Sequence, residues 1–221
     1  MALPSALRRR TPNALRDNPR LRAIALGAGL IPPRTMHSPE EAALLAELAR
    51  GRRVVVEIGV YEGSSAIVLC GALADDADLH LIDPFIDDSG GALPAGGGAS
   101  ASATRRAVER ATRGAGPRLH WHIERSQELG LRWTEPVDLV FVDGDHSPQG
   151  VLEDWRAWHP HVKSGGVMAF HDARDAGSGP KQIVDDLFRG DQPVKGWNIT
   201  HEVGSVVAVT RHPAPETRDP S

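Results

Sequence analysis

The feature that most constrains this chain is the run Val54-Val55-Val56-Glu57-Ile58-Gly59-Val60-Tyr61-Glu62-Gly63-Ser64-Ser65. Three β-branched residues lead to an acid, two glycines follow, and small polar residues open an apolar stretch from Ala66 to Leu73. That order describes a buried strand, a tight turn and a helix N-terminus. Glycine at 59 and 63 allows positive φ and close approach of a ligand, and the helix start offers unpaired N–H groups to an anion. The spacing is not the Gly-x-Gly-x-x-Gly of dinucleotide enzymes, and no Lys-Ser/Thr pair follows as in a phosphate-binding P-loop.

A chain of 221 residues suits one α/β domain with a full core and is short for two. Its formal net charge of −4 argues against broad binding to nucleic acid or an anionic membrane, which would want a basic face. Arg8-Arg9-Arg10 is a local basic run that reads as a solvated terminus. Cys70 is the only cysteine, so no intrachain disulfide or thiolate zinc site is available. Within an apolar helix it reads as a small buried hydrophobe. The first twenty residues are broken by Pro4, Pro12 and Pro19 and hold no apolar signal core. No run reaches the roughly 18 apolar residues that span a bilayer, and the expected location is cytoplasmic.

Residues 1–37 read as an N-terminal extension or substrate cap, 38–212 as the main domain and 213–221 as a flexible tail. Ser38-Pro39-Glu40-Glu41 is a strong helix start, with Ser as N-cap, Pro at the first helical position and acids in the first turn. From there strands expected at 53–58, 78–83, 118–124, 137–142 and 166–171 alternate with helices at 64–74, about 101–113, 148–159 and 180–189. Two further strands near 197–203 and 205–211 flank Gly204 as a terminal hairpin. Alternating β and α units imply a mainly parallel sheet with helices on both faces. The glycine-rich stretch from Asp87 to Ala103 interrupts the rhythm and reads as a mobile loop, either a substrate lid or a plain insertion.

Open α/β sheets bind ligands beyond the carboxyl ends of their strands, so the acids there matter. Glu57 ends the first strand, and Asp83 ends the second, where a carboxylate suits a ribose diol. The strand 137–142 runs into Asp143-Gly144-Asp145-His146, and the next delivers His171-Asp172. Adjacent strand ends would gather these acids and imidazoles in one cleft. Such a set suits a hard divalent cation, most often Mg²⁺. His159 and His161 read as surface or C-terminal capping residues, His120 and His122 alternate with Trp121 along a strand, and His37, just before the first helix, could face the cleft from the N-terminal segment.

Together, the glycine turn, the acid after strand two, Ser126-Gln127, Asp-Gly-Asp-His and His171-Asp172 resemble the class I S-adenosylmethionine (SAM) dependent methyltransferases. The resemblance is nearest to metal-dependent small-molecule O-methyltransferases of the catechol and antibiotic-sugar kinds. It implies a Rossmann-like, seven-stranded sheet with a C-terminal antiparallel hairpin and SAM as cofactor. Gly59 and Gly63 would form the cofactor turn, Tyr61 and Ser65 line the methionine end, and Glu57 lie near its amino group. Asp83 would hold the ribose, Ser126 and Gln127 the adenine, with Ser126 also a candidate N-cap, and Asp143 would face the cofactor as well. The implied metal ligands are Asp143, His171 and Asp172. His171 stands where relatives carry an acid, which shifts preference toward Mn²⁺ or Fe²⁺ or weakens the site. The base would be His146 or Asp145, His146 being favoured for its near-neutral pKa. The expected acceptor is a hydroxyl on a small molecule, a sugar or other secondary metabolite, rather than nucleic acid or membrane. A homo-oligomer is left open. A nicotinamide oxidoreductase, a protein or nucleic-acid methyltransferase and a non-catalytic SAM-binding protein are the rival readings.

Overall fold

The computed structural model describes residues 18–85, 99–112 and 116–212. Expectations for Arg8 to Arg10, for 87–98 of the glycine-rich stretch and for the 213–221 tail lie outside the described residues. Within them, seven strands make one sheet: β1 Val54–Ile58, β2 Asp78–Ile82, β3 Arg118–His122, β4 Val137–Val142, β5 Val162–Phe170, β6 Trp197–Val203 and β7 Val206–Arg211. Their order is β3-β2-β1-β4-β5-β7-β6. The first five are parallel, and β7 runs antiparallel to both β5 and β6. The expected terminal hairpin is therefore present, with its second strand inserted beside β5.

Among the described residues, seven helices accompany the strands: α1 Pro19–Ala28, α2 Pro39–Ala49, α3 Ser64–Ala72, α4 Ala101–Ala111, α5 Ser126–Gly130, α6 Pro148–Trp158 and α7 Gly179–Phe188. Strand alternation sends Val55, Leu79, Leu139, Phe141, Val167 and Ala169 to one face of the sheet, where α2 and α3 cover them with Leu44, Leu45, Leu48, Ala66 and Leu69. Val56, Ile58, Val140, Val142, Met168 and Phe170 point the other way, under Val151, Trp155 and Trp158 of α6 and Ile183 and Val184 of α7. Both faces are buried, as the near-continuous apolar runs of β1 and β4 require. Cys70 is buried in the first of these cores.

Two helices depart from expectation. α1 begins at Asn18, whose side chain accepts from the N–H groups of Arg20 and Leu21, and ends at Gly29 with φ 76°. It lies against α4 through Leu26, Ala103 and Ala107. Ser126 opens α5 without capping it, because its hydroxyl is turned inward to Asp154. At the edges of the sheet, Asp78 pairs with Arg118 and His120 across β2 and β3, and the β6–β7 register shifts between Ile199 and His201. Among the described residues, no helix is long and apolar enough to cross a membrane.

The turn after β1 is the tightest point of the fold. Gly59 has φ +85°, and a Cβ there would stand 2.1 Å from the Asp143 carbonyl oxygen. Neither backbone has a flexible end that can yield. Gly59→Ala should therefore cost at least the roughly 1–3 kcal/mol of an overpacked core site, read by urea unfolding. A loss inside the ±0.5 kcal/mol scatter of neutral surface changes would refute this account of the turn.

Candidate active site at the carboxyl ends of the strands

Four backbone hydrogen bonds run side by side across the strand ends. Asp83 N–H donates to His122 O at 3.1 Å, Gly59 N–H to Ile82 O at 2.9 Å, Asp143 N–H to Ile58 O at 2.8 Å and His171 N–H to Val142 O at 3.0 Å. The ladder fixes the first residue beyond each strand in one row. It brings together Asp83, the glycine turn, Asp143 and His171, as the alternation of the sequence implied.

On the left of that row lies the turn. Strand alternation places Glu57 beneath α3, fully buried, where Ser65 donates its hydroxyl to Oε1. Its other oxygen is buried without a hydrogen-bond partner. Loss of hydration is the main cause that pushes the Glu57 carboxyl up to about 8; the Ser65 bond opposes it and the charges of Asp143 and Asp83 add to it. Asp83 accepts from the N–H groups of Val60 at 2.9 Å and Tyr61 at 2.8 Å through one oxygen, and from Phe85 at 2.6 Å through the other. The carboxylate thus shapes the turn itself, holding Tyr61 at φ 51°.

The N-terminal segment is bolted to the same turn. Glu62, 4% exposed, accepts from the Arg22 guanidinium and from the Arg34 N–H at 2.6 Å, while Arg34 Nη1 donates to the Tyr61 hydroxyl at 2.8 Å. Sequence reasoning passed over Glu62; an acid inside a glycine turn was the available signal. His37 makes a local contact from Nδ1 to Ser38 O at 3.4 Å.

To the right lies the acid–imidazole cluster. His171 Nδ1 stands 3.0 Å from Asp143 Oδ1 and 3.2 Å from Asp172 Oδ1. Both His171 ring nitrogens are buried without a directed hydrogen bond, so these are charge contacts. The His146 ring spans the two carboxylates, Nδ1 lying 3.1 Å from Asp172 Oδ2 and Nε2 3.4 Å from Asp143 Oδ1. Asp143 and Asp172 raise His146 to about 10 against the opposing effect of burial. Burial is the largest influence on His171 and pulls it down, but Asp143, Asp172 and Glu41 together carry it up to about 9. Asp143 is pushed up by burial and, more strongly in sum, down by His146 and His171. The His146 side chain is 42% exposed and that of His171 5%, so His146 is the imidazole that an incoming molecule meets.

Asp145 is not gathered with the others. Its carboxylate accepts from Ser147 N–H at 2.8 Å and lies so close to α6 that a Cβ at Gly150 would stand 2.4 Å from its Cγ. Ser126 is 5% exposed with its hydroxyl given to Asp154. Burial raises Asp154 to about 7, with the Ser126 bond opposing. His159 Nδ1 donates to Trp155 O, 2.8 Å away, as a capping residue does, whereas His161 Nε2 donates to Gly130 O at 2.9 Å. His80, His120 and His122 form a stacked row away from the cluster.

Among the described residues, no three His, Cys, Asp or Glu side chains are arranged to hold a metal ion. Asp143, His171 and Asp172 converge as the resemblance implied, but the His146 ring lies across the two carboxylates. The donor chemistry suits a cation, and the arrangement as it stands does not.

An open α/β sheet with a glycine turn after β1 and acids at successive strand ends is of the Rossmann-like class, which binds ligands beyond the carboxyl ends of its strands. A sequence profile described as a methyltransferase domain matches residues 56–173, more than half of the chain. A Mycolicibacterium smegmatis protein named for O-methyltransferase activity is 33% identical over 174 residues, covering 71% of each chain. Among solved structures, the O-methyltransferase TomG of Streptomyces achromogenes, in complex with SAM, superposes with TM-score 0.58 at 21% identity over 87% of this chain and 88% of its own. The Bacillus cereus O-methyltransferase, in complex with SAH, gives 0.55 at 18% identity over 91% and 92%. This chain belongs to the SAM-dependent O-methyltransferase family.

Glu57 offers a direct check on the left side of the site. An acid whose folded pKa exceeds its unfolded one stabilises the fold least when ionised. Its contribution is lost as pH rises from about 4.5, its ordinary value, to about 8. Glu57→Gln should therefore gain stability relative to the ligand-free parent between pH 5 and pH 8. Parallel pH profiles of the two melting temperatures would contradict the buried, neutral acid.

Proposed function

We propose that the chain transfers a methyl group from SAM to a hydroxyl of a small molecule, a sugar or other secondary metabolite, with His146 as the base. The observation that carries this reading is the His146 ring, half exposed at the cleft and flanked by Asp143 and Asp172. The SAM complex of TomG, a protein involved in tomaymycin synthesis, supports the choice of cofactor and of a small acceptor.

The residues of the turn suit this cofactor. The buried Oε2 of Glu57, without a hydrogen-bond partner among the described residues, would accept from an N–H-bearing cation such as the methionine ammonium, beside which the carboxyl ionises. Tyr61 and Ser65 flank the same end, and the α3 N-terminus suits a carboxylate. Asp83, just beyond β2, is the carboxylate that a ribose diol would meet. In the adenine region, Gln127 and the Ser126–Asp154 pair supply polar partners. When bound, SAM supplies an electrophilic methyl on sulfur.

The chain's own task is to make the acceptor oxygen a nucleophile. His146 takes its proton, and Asp143 and Asp172 stabilise the imidazolium as it forms, in the manner of a carboxylate behind a catalytic histidine. Asp145, turned back on α6, is less well placed for that role. The same carboxylates keep the ring largely protonated at neutral pH, so kcat/KM should climb as pH is raised toward about 10. A flat profile between pH 7 and 9 would exclude His146 as the base.

No step is assigned to the divalent metal that the resemblance implied, because His146 spans the carboxylates that would hold it. Calorimetric titration with SAM and a screen of hydroxylated metabolites test the activity. His146→Ala should lower kcat by about 10²-fold or more while SAM affinity stays near that of the parent. Turnover should survive EDTA. Loss under EDTA that Mn²⁺ or Mg²⁺ restores would show that His146 swings aside for an ion, and would return Asp143, His171 and Asp172 to the role of ligands.

A further inference from the structure

Glu41 belongs to α2, far in sequence from the strand ends, and its place in a capping box accounts for only half of its contacts. Ser38 Oγ accepts from Glu41 N–H at 3.2 Å, and Glu41 Oε2 accepts from Ser38 N–H at 2.6 Å. That exchange satisfies the helix start. A capping acid ordinarily faces water, yet Glu41 is 6% exposed. Its second oxygen accepts from Ser205 N–H at 2.6 Å and from the Ser205 hydroxyl at 2.8 Å. Ser205 lies in the turn between β6 and β7. Gly204 beside it, at φ +57°, is pressed so closely on the carboxylate that a Cβ would stand 2.3 Å from Oε1.

Two lines lead from this carboxylate into the active site. The first is direct: Glu41 Oε2 faces His171 Nε2 across 3.9 Å, and that nitrogen is buried without a hydrogen-bond partner. The ring thus has Asp143 and Asp172 before Nδ1 and Glu41 behind Nε2. The second line runs through Ser205. A hydroxyl that donates to Glu41 keeps a lone pair, and Ser205 Oγ accepts from Asp172 N–H at 3.3 Å. Asp172 sits at φ 53°, a conformation that a non-glycine residue holds only when its surroundings enforce it.

We propose that Glu41 is a positioning residue of the active site, setting the His171 ring from behind and, through Ser205, the strained turn that presents Asp172 to His146. Its carboxylate reaches none of the reacting atoms and acts through these two neighbours. This rests on the reading of the cluster as a methyl-transfer site, although the first measurement below does not.

The imidazole nitrogens of His171 report the contact directly, through long-range ¹H–¹⁵N spectra of the full chain. Glu41→Gln preserves size and can still cap the helix. It should shift the His171 ring nitrogens more than those of His120, His122 or His161. It should lower kcat about tenfold, as a small misplacement of a catalytic group does, with the SAM dissociation constant within twofold of the parent. Ser205→Ala, which leaves the capping box untouched, should move the Asp172 amide resonance, lower kcat in the same sense, and carry the test if Glu41→Gln folds poorly. Unchanged His171 nitrogens in Glu41→Gln would overturn the proposal. So would a fall in kcat matched by an equal loss of SAM affinity in both variants, which marks general damage. Shifted nitrogens in a parent protein that methylates no hydroxyl would uphold the positioning role and refute the methyl-transfer reading instead.

Discussion

The backbone contact between Gly59 and Asp143 governs this structure. Two neighbouring parallel strands end level with one another, and their outgoing turns touch with no side chain between them. Because the chain is so close there, the glycine turn after β1 and the acid–imidazole cluster beyond β4 and β5 are parts of one surface. Everything else in the fold serves that adjacency. The two buried faces of the sheet fix the strands in height, and the ladder of N–H···O bonds at their tips fixes them in register. A shift of one residue along either strand would turn Glu57 out of its place beneath α3 and carry Asp143 away from the imidazoles.

The charges gathered at that surface balance locally. Asp143 and Asp172 meet His146 and His171, and Glu62 meets Arg22 and Arg34. Buried groups of this kind add little net stability, since each must give up its hydration, but removing one partner strands the other. The arrangement is therefore strongly specified in geometry. Glu57 stands apart: among the described residues it has a hydroxyl partner and no cation, and burial favours its neutral form.

Much of this was legible in the chain itself. The β–α alternation, the strands, the terminal hairpin and the coming together of Asp143, His171 and Asp172 follow from hydrophobic period and from the rule that strand ends carry the ligands. What escaped was set by long-range partners. The α1 helix had its punctuation in Asn18, Pro19 and Gly29, yet its apolar stripe is narrow and it is held mainly by α4. Ser126 had the composition of a cap, but Asp154, buried 28 residues away in the chain, offers its hydroxyl a better partner. Glu41 and Glu62 read as ordinary local acids, because their decisive contacts lie 164 and 40 residues distant. Asp145 and His146 were alternatives by spacing; in the structure Asp145 packs against Gly150, while the His146 ring lies between Asp143 and Asp172.

The borders of the sheet have a consequence for how copies of the chain meet. The outermost strand on one side, β3, wears Arg118 and His120 tied to Asp78, and on the other side β6 breaks step with its neighbour near Ile199. Charged and irregular margins discourage strand-to-strand annealing between molecules. Fibrous growth by sheet extension is thereby disfavoured at both ends.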